Sequence, residues 1–234
     1  MTKIDSPTAV ARSVGATTLT IAELIGPVDM KIKISAITIA VRYVPRCELE
    51  TATNVAGAAR SVAIPETQRY DCFDLRPPPC PGGMPMFHGE CVGPTRETQE
   101  GRPFDSISSQ MARNGDATRP VVMKMDVEGA EWDSFLLAPD SVFNHIDELD
   151  VEFHHVEDPK TVAVMQRLKQ FFVLAHVHYN NFSCDPAMAP FPSWAFEVLL
   201  VNKRLATTDG SPAPHGPISL DAANNPQTPD CQAQ

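Results

Sequence analysis

Apolar and polar positions along this chain fall into short patterns that change period several times, and each change marks an element boundary. Ile32, Ile34, Ile37, Ile39 and Val41 alternate with small or polar residues, a β-branched density that predicts a strand over 31–44, stopped by Pro45. Before it, 17–25 has the pattern of a short helix closed by Gly26-Pro27. The Ala/Thr-rich stretch 49–61, with Gly57 inside it, predicts a turn running into a helix, and 70–75 predicts a short buried strand reaching Asp74. Consecutive prolines and glycines at 77–85 exclude both ladder and helix. A strand is expected at 87–92 and a helix at 104–112, where Phe104, Ile107 and Met111 share a face and Asn114-Gly115 ends it.

From residue 121 the pattern is clearer. Val121, Val122, Met123 and Met125 form an apolar run of the kind buried in a parallel sheet, and Gly129 relaxes the backbone as the chain turns into a helix over 132–137. Asp140 can cap a further helical turn before a strand at 146–155. Pro159 opens an amphipathic helix whose apolar stripe is Val162, Val164, Met165, Leu168, Phe171 and Phe172. Strands at 173–179 and 194–202 follow, joined by a proline-containing loop. Alternating strands and helices predict an α/β domain with a mostly parallel sheet, and two final strands without an intervening helix predict a C-terminal antiparallel hairpin. We expect a weakly patterned segment at 1–29, one domain over 30–205, and a disordered tail over 206–234, where Pro, Ala, Asn and Gln leave little to bury.

Composition narrows the function. A length of 234 residues suits one α/β domain with a sizeable core. A formal net charge of −10 argues against nucleic acid as a partner, because that affinity rests on Lys and Arg neutralising phosphates. Small-molecule or protein substrates are expected instead. The first eleven residues lack a basic-then-apolar leader pattern; 30–41 imitates one from an internal start but is too short to span a bilayer, so no membrane span is expected. The six cysteines show no CxxC spacing, and buried free thiols are the expectation, with a bridge from Cys72 or Cys80 to Cys91 as the alternative in an oxidising compartment.

The stretch Met123-Lys124-Met125-Asp126-Val127-Glu128-Gly129-Ala130-Glu131-Trp132 resembles the K-I-D-V-E-G-A-E signature of FkbM-type methyltransferases and related methyltransferase-like proteins. Segments 149–154, 176–182 and 194–203 are also similar to the methyltransferase-like branch. The resemblance implies a Rossmann-like class I methyltransferase fold with S-adenosylmethionine as cofactor, acting as an O-methyltransferase on a small molecule or sugar, with a small-molecule or glycan acceptor as partner. The family's glycine-rich turn has no clear match upstream. Gly57 is the best candidate for it, and its distance to Asp74 suits an acidic residue that hydrogen-bonds ribose hydroxyls.

On this reading Gly57, Asp74, Asp126 and Gly129 hold the cofactor. Glu128, just past a strand end, and His154, ending the next strand, are the expected catalytic pair, since methyl transfer to a hydroxyl needs an in-line acceptor and a group to take its proton. Asp126 and Glu128 are expected to point in different directions because Gly129 marks the turn between sheet and helix. Glu128 also reads as a helix-start carboxylate held by the dipole. Asn180 and Asn181 read either as acceptor-orienting amides or as a turn. A metal site using Glu152, His154, His176 and His178 requires ligands converging from two strands, and no metal is expected. A noncatalytic binding or scaffold protein on the same fold is the alternative function, and a metal-dependent hydrolase is the third.

Overall fold

The computed structural model describes residues 68–72, 86–206 and 221–231. The expected helix at 17–25, the strand at 31–44, and both Gly57 and Asp74 lie outside the described residues. The described chain is mixed α/β, with strands in three sheets and a few helices. In chain order these are β1 (Gln68–Tyr70), β2 (Met86–His88), β3 (Cys91–Val92), β4 (Glu97–Gln99), β5 (Arg102–Asp105), α1 (Ile107–Asn114), β6 (Val121–Asp126), α2 (Glu131–Leu137), α3 (Asp140–His145), β7 (Ile146–His154), α4 (Thr161–Phe171), β8 (Phe172–Tyr179) and β9 (Ala195–Asn202).

The main sheet has the order β6-β7-β9-β8. β6 and β7 are parallel, whereas β9 runs antiparallel to both β7 and β8. The terminal hairpin is thus present, with its last strand inserted between β7 and β8. Among the described strands the sheet is mixed rather than mostly parallel, because that one reversed strand contributes two of the three pairings.

Register divides this sheet into two unlike faces. Leu149 pairs with Leu200, Val151 with Val198 and Phe153 with Phe196, and all six side chains are buried. Met123 and Met125 extend the row on β6. Trp132 and Phe135 of α2, Phe143 of α3, and Met165 and Leu168 of α4 join that row in one core, in which Trp132 stacks on Phe153 with ring centroids 4.6 Å apart. Arg167 of α4 ties the helices together: it donates to the Leu136 carbonyl at 3.1 Å, to the Ala138 carbonyl and to the Asp140 carboxylate at 2.9 Å. A guanidinium thus covers carbonyls at the end of α2. Asp140 is the first residue of α3, preceded by Pro139, and meets Arg167 instead of capping the helix.

The opposite face carries Lys124, Asp126, Asp150, Glu152, His154 and Glu197, with Val122 as the apolar member of β6 on that side. A register shift between Leu174 and His176 turns His176 and His178 onto this face. Residues 221–231 lie along it: Asp221 meets His176 at 2.6 Å, Asn224 donates to Glu197 at 2.9 Å, and Asn181 bonds the 225–229 backbone. A Cys184–Cys231 disulfide fastens the segment. For 221–231 the expected structureless tail is therefore corrected; polar side chains and a covalent link hold it where apolar mass is lacking. Cys72 and Cys91 form a second disulfide, so these four cysteines are bridged and not free thiols.

Upstream, the expected strand at 87–92 divides into β2 and β3, which pair in different sheets. The expected helix at 104–112 begins later, at Ile107, because Arg102–Asp105 pairs with β4 across a Glu100-Gly101 turn with positive φ at both residues. Ser106 caps α1 and Gly115, at φ 79°, ends it. Among the described residues no helix is long and apolar enough to cross a membrane.

Candidate functional site

Because β6 and β7 are parallel, their carboxyl ends lie side by side, with Asp126 opposite Glu152. Asp126 closes β6. The chain then turns through Val127-Glu128-Gly129-Ala130, with Glu128 at φ 54° and Gly129 at φ 103°. That left-handed backbone is what calls for glycine at 129, since a Cβ built there would meet the His155 ring at only an ordinary 3.7 Å. Glu128 and His155, the latter at φ 58°, adopt the same uncommon conformation without being glycine, and both flank the strand ends.

Glu131, the first residue of α2, is fully buried. One carboxylate oxygen accepts from the Val127 amide at 3.2 Å, reaching back over the turn, and from His154 Nδ1 at 3.0 Å; its other oxygen has no hydrogen-bond partner among the described residues. Trp132 donates to the His154 carbonyl at 2.6 Å, fixing the end of β7 from the core side. The His154 ring is thereby held and only 7% exposed.

Its free nitrogen, Nε2, faces Glu128 at 3.6 Å, Glu152 at 3.7 Å and Asp126 at 3.9 Å. Asp126 and Glu128, expected to diverge, instead converge on this nitrogen, because the positive-φ turn at 128–129 folds Glu128 back toward the sheet. Asn180, just beyond β8, donates to Glu152 at 2.6 Å and accepts from the Phe182 amide at 2.9 Å, so it orients a carboxylate and closes a turn. Trp194 stacks on His155 beside the cluster, centroids 5.3 Å apart.

Electrostatics follow from this crowding. Burial pushes the Asp126 carboxyl above its ordinary range, with Glu128 and Glu131 adding to the effect and His154 and Lys124 opposing it. Glu152 is likewise raised by burial, with Asp126 and Glu197 adding and the Asn180 hydrogen bond opposing. Burial alone lowers His154, but the Glu131 hydrogen bond and charge, with Glu152 and Glu128, outweigh it and hold the imidazole above its usual value. The edge is therefore an acidic cluster around one buried imidazole.

Of the expected site residues, Asp126, Glu128, Gly129 and His154 come together at this edge. His176 and His178 do not join it. They sit further along the polar face, His176 against Asp221 and His178 against Glu197 at 3.1 Å, beside a cleft of ≈ 280 Å³ also lined by Asp150 and Ala222. Asp126, Glu152 and His154 do have ligand atoms close enough to share a metal ion. Glu152, His154, His176 and His178 are thus not brought together; the group that does converge is Glu152 and His154 with Asp126 of the neighbouring strand. Glu131 was the residue whose role the sequence reading missed. Its place three residues after Glu128, opening a helix, was the available signal. No protein-family model, curated protein or solved structure matches the chain.

Proposed function

We propose that the chain is an S-adenosylmethionine-dependent methyltransferase of Rossmann-like class I architecture that methylates a hydroxyl of a small molecule or sugar. The observation that carries this reading is the meeting of the β6 and β7 ends around His154. The β6-β7-β9-β8 order, with its antiparallel last strand, supports the same architecture. In an open α/β sheet, ligands bind outside the carboxyl ends of the strands. An acidic edge there suits a cofactor carrying a sulfonium and an ammonium.

When bound, the cofactor supplies an electrophilic methyl group. The chain's own residues hold the two reactants in line and manage the proton. Asp126 and Gly129 form the cofactor side of the edge, and Gly57 and Asp74 are proposed as cofactor ligands on the sequence resemblance alone. Glu128, exposed at the rim, takes the proton as the acceptor oxygen attacks, and His154 stabilises the carboxylates around it. The two disulfides favour work in an oxidising compartment.

Titration of S-adenosylmethionine into the oxidised full-length protein tests the reading. Saturable one-to-one binding, weakened at least tenfold by Asp126→Asn and unchanged by Glu128→Gln, is expected. Absence of saturable binding at millimolar cofactor would leave the noncatalytic scaffold as the better description.

A further inference from the structure

We propose that Asp126, Glu152 and His154 form a binding site for a divalent transition-metal ion, with Glu128 as an additional oxygen ligand at its rim. His154 carries a ring proton on the side of Glu131. Its Nδ1 lies 3.0 Å from a carboxylate oxygen of Glu131, which only accepts, so the ring proton sits on Nδ1. In the neutral ring Nε2 presents a lone pair, on a ring only 7% exposed, toward carboxylates that also present lone pairs, and a metal ion bound there would take the place of the second proton that these acids favour. Its nearest oxygen is 3.6 Å away, beyond hydrogen-bond reach. A second proton on Nε2 would leave one imidazolium facing Asp126, Glu128, Glu131 and Glu152, so the cluster stays strongly negative.

A cation between Nε2 and the oxygens answers both the unpaired nitrogen and the charge. Ligands about 2.1 Å from such an ion lie roughly 3.0–3.4 Å from one another at octahedral to tetrahedral angles. The observed 3.6–3.9 Å separations from Nε2 need contractions of about 0.2–0.9 Å, the smaller for a tetrahedral ion, which carboxylate rotation supplies. The ligand atoms of Asp126, Glu152 and His154 all lie within 4.8 Å of one another.

The surroundings are arranged as a metal site requires. Glu131 fixes the tautomer and orientation of the ligating imidazole, and Asn180 orients Glu152. One imidazole with two or three carboxylates favours Mn²⁺ or Zn²⁺ over the all-oxygen preference of Ca²⁺ and Mg²⁺. With an ion bound, Glu128 serves as its ligand rather than as proton acceptor, and the ion would lower the pKa of a hydroxyl coordinated to it. The site itself does not depend on the methyltransferase reading.

The test uses the full chain with disulfides intact, stripped with a chelator and dialysed. Calorimetric titration with Mn²⁺ and with Zn²⁺, and loss of the free Mn²⁺ electron paramagnetic resonance signal, should each report one ion per chain. Asp126→Asn and Glu152→Gln should each weaken binding at least tenfold, and Glu131→Gln by about 10–100-fold as a residue orienting a ligand. Glu100→Gln, which removes the same charge from the exposed β4–β5 turn, should leave binding unchanged. The proposal is overturned if neither ion binds saturably, or if the edge variants bind as the Glu100→Gln protein does. Titration of S-adenosylmethionine into the stripped protein separates the two readings: cofactor binding without metal binding sinks only this inference, and the reverse sinks only the methyltransferase.

Discussion

The two faces of the β6-β7-β9-β8 sheet are made by the same strands and differ in nearly every physical respect. One presents Leu149, Val151, Phe153, Phe196, Val198 and Leu200, each at most 1% exposed, to three helices. The other presents acids and histidines to a disulfide-tethered segment and, at its carboxyl edge, to solvent. Alternation along a strand lets one residue in two build the core while its neighbour stays available for chemistry. The difference teaches where stability and function are to be sought: removing groups from the first face costs folding energy, whereas removing charge from the edge relieves repulsion.

The largest effect should come from the apolar face. Phe153 is fully buried between Trp132 and Phe196, so Phe153→Ala is expected to destabilise by about 3–5 kcal/mol in urea denaturation. A loss under about 1 kcal/mol would mean the helices do not pack on the sheet as described.

Next is the cover of the polar face. Breaking the Cys184–Cys231 link with a double serine replacement opens a loop with sequence separation 47. The expected loss is about 2–4 kcal/mol, read as a fall in melting temperature. An unchanged melt would show that the segment contributes nothing to the fold.

A smaller effect concerns Glu148, which pairs with Val201 on the polar face and has a buried oxygen without a partner among the described residues. Burial holds its carboxyl above the ordinary range. The folded state therefore keeps this proton to higher pH than the unfolded chain, and the contribution of Glu148 to stability falls as pH rises above about 4.3, the unfolded value. Glu148→Gln should flatten that fall between pH 4 and 7. Parallel stability–pH curves for variant and wild type would contradict it.

Legibility in the sequence followed the same division. The strands and helices after residue 121 were readable because their apolar stripes are local and periodic. The pairing of Leu149 with Leu200 was not, since register depends on which strand inserts between which. At the edge, Asp126, Glu128 and His154 could be nominated from their positions at strand ends. Their convergence could not, because it depends on positive φ at Glu128, a conformation that glutamate does not announce. Glu131 was hidden for a different reason: an acid opening a helix is ordinarily exposed, and only the parallel neighbour brings His154 onto it. The segment 221–231 was missed because its attachment is made by Asn181, Asp221 and Cys231 rather than by apolar residues.

The most direct test of the account is the denaturation midpoint of the metal-free Asp126→Asn/Glu128→Gln double variant. Both side chains are substantially exposed, at 44% and 72%, and face like charges. If they serve the site, removing their charges leaves stability equal or raises it by roughly 0–1 kcal/mol, while ligand binding at the edge is lost. If the double variant instead unfolds more easily by over about 1 kcal/mol, the carboxylates are structural and the edge is not a functional site.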